Sequence, residues 1–175
     1  MGLTETLLAH ADVLAAGLGA RDALRLEAGL CLYGHELEQD IGPVEAGLAW
    51  LIPRDRRVGT DRPFPGHEHV MQTIGPKANG AGKLPPRKRV GFLKPKGAPA
   101  REEAAVFDAE GNNVGNVTSG AYSPCLKSAI GMALVERKAA KKGVTQLFAE
   151  NRRGKMEPLE LAPMPFLECS YYKPE

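Results

Sequence analysis

The alternation of apolar and polar residues gives the chain two textures. Near the start the period is helical. Leu7, Leu8, Ala11 and Leu14 recur at three- and four-residue spacing behind a capping Thr4, which predicts a helix over 4–16 ended by Gly17 and Gly19. A second helix is predicted over 20–28, with Leu24 and Ala28 sharing a face, Arg25 and Glu27 directed elsewhere, and Gly29 as its stop. Residues 35–42 are polar and acidic. Then Val44, Ala46, Leu48, Trp50 and Ile52 alternate with other residues, the period of a strand with one buried side.

Between 53 and 88 this regularity dissolves into prolines and glycines. Only 66–74 predicts a helix there, and 75–86 reads as a surface loop and the clearest boundary. From Arg87 onward the pattern is one of short strands. Val90 to Leu93, Ala104 to Phe107 and Val114 to Thr118 are predicted strands, the last two joined by a turn at Glu110-Gly111-Asn112. Ser119-Gly120 is expected to break the third. Ile130 to Val135 is another, with Gly131 allowing a bulge or close approach. Val144 to Ala149 and Met156 to Leu161 form a further hairpin. Short strands separated by turn residues predict a small barrel or sandwich.

Composition narrows the function classes more than it names one. At 175 residues, with 43% hydrophobic and 25% charged, the chain can bury one good-sized core or one core plus a piece of another. The net charge of +2 is too small to point to nucleic acid. Basic runs at Arg54/Arg56/Arg57, Arg87–Arg89 and Lys138/Lys141/Lys142 read first as solvated turns, the alternative being a basic surface for an acidic partner. No apolar stretch is long enough to cross a bilayer, and neither a membrane partner nor a signal peptide is expected. Cys31, Cys125 and Cys169 are far apart, odd in number and without a CxxC spacing. No zinc site is therefore expected, a reducing compartment fits best, and Cys31 reads as a small buried hydrophobe.

Two clusters invite a chemical reading. His67 and His69 would share a face in a strand and could bind metal, but the segment reads as helix or loop and no third ligand follows, so a surface pair is the simpler account. Glu36, Glu38 and Asp40 could serve acid–base work, against the plainer reading of a solvated acidic turn. No dinucleotide fingerprint, Walker motif, G-x-S-x-G or H-E-x-x-H occurs.

Longer blocks carry a resemblance. Residues 17–34, from Gly17-Leu18-Gly19-Ala20-Arg21-Asp22 to Leu32-Tyr33-Gly34, are similar to the GLxARDxLRLEAGLCLYG block of aminomethyltransferases. Pro43 to Trp50, Phe64-Pro65-Gly66, Arg89-Val90-Gly91-Phe92, Gly97 to Arg101, Gly115 to Gly120, Ser123-Pro124, Ile130 to Ala133, Pro163 to Phe166 and Tyr171-Tyr172-Lys173 follow in the family's order. The chain thus resembles the C-terminal portion of a glycine cleavage T-protein of the eukaryotic mitochondrial type.

The resemblance implies an α+β fold. A short helical and strand remnant of the folate-binding core (1–74) and a loop (75–86) would precede a small antiparallel β-barrel (87–175). It implies tetrahydrofolate as co-substrate, no metal, the lipoyl-bearing H-protein as partner, a mitochondrial location, and transfer of a one-carbon unit from the aminomethylated lipoyl arm with release of ammonia. Arg21 matches a substrate- or folate-binding arginine and Tyr171 a C-terminal substrate-contacting tyrosine. For Arg21 the plain alternative is a pair with a nearby carboxylate, and for Tyr171 a place in an exposed tail. No catalytic residue is assigned. The family's Gly-x-x-Asp-Asp and Gly-Tyr-Thr-Gly-Glu blocks do not occur in residues 1–16, so a truncated form or fragment, inactive alone, is expected. Leu7, Leu8, Leu14 and Leu24 should then be exposed. Arg89 and Arg101 match family arginines and read as structural ion-pair residues. Two alternatives remain: a non-catalytic binding or scaffold module, and the folate module of a dimethylglycine or sarcosine dehydrogenase. The tRNA-modifying relatives are disfavoured by Leu30-Cys31-Leu32-Tyr33-Gly34-His35-Glu36.

Overall fold

The computed structural model describes residues 2–57, 64–75, 82–141 and 146–168. Six strands form the core of the molecule: β1 (Arg87–Lys94), β2 (Ala105–Phe107), β3 (Asn113–Ser123), β4 (Ser128–Glu136), β5 (Leu147–Glu150) and β6 (Met156–Ala162). They close into an antiparallel barrel in the order β1-β4-β3-β2-β5-β6. Closure covers most of the sheet's edges, which limits pairing with other chains. The expected barrel and the α+β class are both observed.

Side-chain alternation fills the barrel. Val90, Phe92, Val106, Val117, Val135, Leu147 and Leu159 point inward into one cluster. On β4 the burial is nearly continuous, because both of its faces are covered. Gly131 lies against the Phe92 ring: a Cβ there would sit 2.3 Å from Phe92 Cζ, so glycine is required by close approach.

β3 does not end at Ser119-Gly120, as the sequence suggests, but runs to Ser123. Its pairing with β4 slips between Val117 and Ser119. The bulge absorbs the extra residue, so Val117 stays in the barrel core while Ser119 turns to the outer face. A local bulge and a strand end look alike in sequence, since both are marked by small residues.

Among the described residues three α-helices precede the barrel: α1 (Leu3–Leu8), α2 (Leu18–Glu27) and α3 (His67–Thr73). α1 is much shorter than the predicted 4–16 and buries none of its residues. A helix with no packing surface has little to extend it in water. α2 matches its expected span, and Gly29 beyond it takes φ +70, as a C-terminal stop does. The face it buries is not the one that carries Leu24. Leu24 is 66% exposed, while Arg25, Leu26 and Glu27 are buried against the barrel. The predicted strand at 44–52 is absent. Turns and a short 3-10 segment (Ala49–Leu51) replace it, Gly47 takes φ +74, and Trp50 is 71% exposed. A left-handed residue in its middle breaks the extended run whatever the hydrophobic alternation. α3 was expected, and His67 and His69 sit on it two residues apart, pointing away from each other.

Candidate functional site

The N-terminal segment meets the barrel on the outer face of β1, β4 and β3. Leu26 is fully buried there with Ile130 and Met132, and Leu93, Ala121, Met164 and Phe166 pack around them. This apolar patch is small, and polar side chains do much of the joining.

Arg25 is the centre of the joint. Its Nε donates to Asp22 Oδ1 at 2.7 Å, Nη1 to Glu36 Oε2 at 2.9 Å and to the Leu30 carbonyl at 3.2 Å, and Nη2 to Ser119 Oγ at 2.9 Å. Ser119 Oγ donates onward to Glu36 Oε1 at 2.5 Å, and the Leu32 N–H donates to Glu36 Oε2. Glu36, at 2% exposure, is thus a fully engaged buried carboxylate and not part of a solvated acidic turn. One turn along, Ser123 Oγ donates to Glu27 Oε1 at 2.5 Å, and the Phe166 N–H donates to the Glu27 carbonyl at 2.9 Å. Ser119 and Ser123, four apart on β3, therefore face Arg25 and Glu27 on α2 across one seam. Sequence reading missed Arg25, Glu27, Ser119 and Ser123, and weighed Glu36 only as a member of an acidic cluster. The available signal was the polar pair Arg25 and Glu27 on either side of Leu26 on α2.

Arg21 lies one helical turn before Arg25 and is exposed. Its guanidinium forms no hydrogen bond or ion pair among the described residues, so the adjacent Asp22 is taken by Arg25 and leaves Arg21 open. Tyr171 lies outside the described residues, as does Cys169.

Arg89 is not an ion-pair residue as expected. Nη1 donates to the Gly29 carbonyl at 2.9 Å and touches Met132 Sδ at 3.2 Å, and its buried Nε has no partner among the described residues. Arg101 is exposed and forms no ion pair among them. Burial pushes the half-buried Cys31 thiol above its ordinary value, with the Arg89 charge opposing. At exposed Cys125 the Glu27 charge is the main cause of a shift in the same direction.

Among the described residues no His, Cys, Asp and Glu group is arranged to hold a metal ion. A cavity of about 820 Å³ opens at one barrel mouth, lined by Pro99, Arg101, Glu102, Asn151, Arg153 and Glu157, away from α2. No helix among these residues is long and apolar enough to cross a membrane. The expected exposure of apolar residues is observed at Leu7, Leu8, Leu14 and Leu24, and extends to Leu18, Leu30, Tyr33 and Trp50.

Comparison with known proteins accounts for both halves. Residues 87–168 match the family described as "Glycine cleavage T-protein C-terminal barrel domain", and residues 3–56 match "GCVT N-terminal domain". The chain is 46% identical over 158 residues to the "Aminomethyltransferase, mitochondrial" of Flaveria trinervia, covering 90% of the chain and 36% of that protein. It is 44% identical over 170 residues to the protein of that name from Gallus gallus, covering 97% and 40%. Among solved structures, the glycine cleavage system aminomethyltransferase T from Bartonella henselae superposes with a TM-score of 0.79 at 38% identity, covering 98% of this chain and 44% of that one. The chain therefore spans about two-fifths of the length of these relatives.

Proposed function

The chain belongs to the glycine cleavage T-protein (aminomethyltransferase) family, and from that premise we propose that it supplies one wall of a tetrahydrofolate pocket used in aminomethyl transfer. The observation that carries this reading is the state of Arg21. It stands exposed and without a partner among the described residues on α2, within the family's Ala20-Arg21-Asp22 pattern, one turn before the Arg25 that fixes the helix to the barrel. A guanidinium so presented can donate paired hydrogen bonds to the carboxylates or carbonyls of a folate. Tyr171, by its place in Tyr171-Tyr172-Lys173, would add a stacking ring and one hydrogen bond.

In this reading the lipoyl arm of H-protein brings the aminomethyl group, the one-carbon unit passes to tetrahydrofolate, and ammonia leaves. The protein's task is to hold folate and arm together and keep water out. Residues 1–74 belong to the folate-binding core, 75–86 form the connection, and 87–175 the barrel domain. The mitochondrial names of the relatives support the same compartment for this chain.

The test is folate-dependent ammonia release from aminomethylated H-protein. The expected result is no turnover by this chain alone, and turnover when it is combined with a polypeptide corresponding to the remainder of the relatives, lost again in Arg21→Ala. Robust activity of the chain alone would refute the assignment of its residues to a single wall. Failure of the combination would refute the transferase reading. The exposed apolar residues between Leu3 and Leu51 favour a second reading, a non-catalytic module that binds a partner such as H-protein. Absence of association at high micromolar concentration would remove it.

A further inference from the structure

Two lysines of β1 lie toward opposite ends of the barrel, and they are treated in opposite ways. Lys88 and Lys94 are six residues apart, so both fall on the face that carries Val90 and Phe92 into the barrel core. Lys94 is fully satisfied. Its Nζ donates to the Lys96 carbonyl at 3.0 Å and the Ala98 carbonyl at 2.5 Å, and lies 2.9 Å from Glu157 Oε2, which uses all three ammonium protons. Lys88 is half-buried and has neither hydrogen bond nor ion pair among the described residues.

The barrel wall is incomplete beside Lys88. β6 pairs with β1 only from Gly91 to Leu93, while β4 pairs along its whole length. From Arg87 to Val90 the other edge of β1 is left open, apart from the Arg89 N–H donating to the Glu45 carbonyl. A cavity of about 250 Å³ occupies this gap, lined by Lys88, Arg89, Ala140, Leu161, Ala162 and Met164. The charged groups around it are mostly of one sign. Arg137 follows β4, with its Nε on the Pro85 carbonyl; Arg87 and Arg89 flank Lys88 on the other face of β1; and Glu45 is engaged by Arg87.

We propose that Lys88 is an acylation site, an amine held at the open β1–β6 seam that accepts an acyl group from a small thioester. In the step, the neutral Nζ attacks the thioester carbonyl, the C–N bond forms, the C–S bond breaks, the thiolate leaves, and the amine proton passes to solvent. The chemistry of the site favours it. Burial pushes the Lys88 ammonium below its ordinary value and the Arg137 charge adds to the effect, so more of the reactive free base is present near neutrality than at a solvated lysine. Acylation also removes a positive charge from beside Arg137. The cavity has room for an acetyl group.

The experiment uses the full chain, a small acetyl thioester such as N,S-diacetylcysteamine, and peptide mass mapping of initial rates at each lysine between pH 7 and pH 10. Lys88 should react roughly fivefold faster than exposed Lys96 and Lys155 at pH 7, with Lys94 the slowest. The Lys88 advantage should shrink as pH rises and the solvated lysines lose their protons. It should vanish in guanidinium chloride and diminish in Arg137→Gln. A Lys88 rate at or below that of Lys96 and Lys155 in the folded chain, or a preference that survives unfolding, overturns the proposal.

Discussion

Inside the barrel, Val90, Phe92, Val117, Val135 and Leu159 pack in one apolar cluster. Outside it, across β3, α2 meets the same sheet through Arg25, Glu27, Glu36, Ser119 and Ser123, with Leu26 as its one fully buried apolar side chain. The first region is held by surface removed from water, which is non-directional and tolerates small rearrangements. The second depends on directed bonds among buried charges, which hold one geometry and fail when a single member is lost. A joint of this kind does more to fix where α2 sits than to add stability, which suits a helix that presents Arg21.

The largest change should come from the barrel. Phe92→Ala removes a ring that is almost wholly buried and should cost about 4 kcal/mol, unfolding barrel and α2 together in one denaturation transition. Next, Glu36→Ala leaves Arg25 buried without its main counter-charge and should cost about 3 kcal/mol. Its signature differs: amide exchange should rise in α2 and residues 30–37 while β1 and β4 stay protected. If both variants lose protection everywhere, the two regions are one cooperative unit and the contrast fails. A smaller effect is expected on acidification. The Lys94 bond holds the Glu157 carboxyl below the usual carboxylate range, so its contribution is present above that range and is lost as pH falls through the folded value. Lys94→Met should abolish that part of the acid sensitivity in a urea titration. The smallest effect belongs to the surface. Leu24→Ser should change stability by no more than about 0.5 kcal/mol, while lowering binding of a hydrophobic dye.

The same division governs what could be read in the sequence. The barrel strands were legible because each is a short apolar or alternating run bounded by turn residues, and the errors there were of length, as at the β3 bulge. The segment before it was half legible. The α2 span followed from its pattern and from Gly29, but its orientation did not, because an inward Arg25 and Glu27 are intelligible only once Ser119 and Ser123, more than ninety residues later, are seen opposite them. The period-two run from Val44 to Ile52 misled because Gly47 imposes a turn that alternation cannot report. Of the candidate site, Arg21 was visible through its motif, whereas Glu36 was taken for a solvated acid because its partners lie on other elements.

The hydroxyl-to-carboxylate contacts at Ser119–Glu36 and Ser123–Glu27 set a rule for how such a chain can drift. Neither position can be rewritten alone without stranding its mate, so substitutions should arrive as matched exchanges. In a randomised library screened for folding, the identities recovered at 36 and 119 should be statistically tied, and those at 27 and 123 likewise, while Leu14 and Leu24 vary independently of everything else.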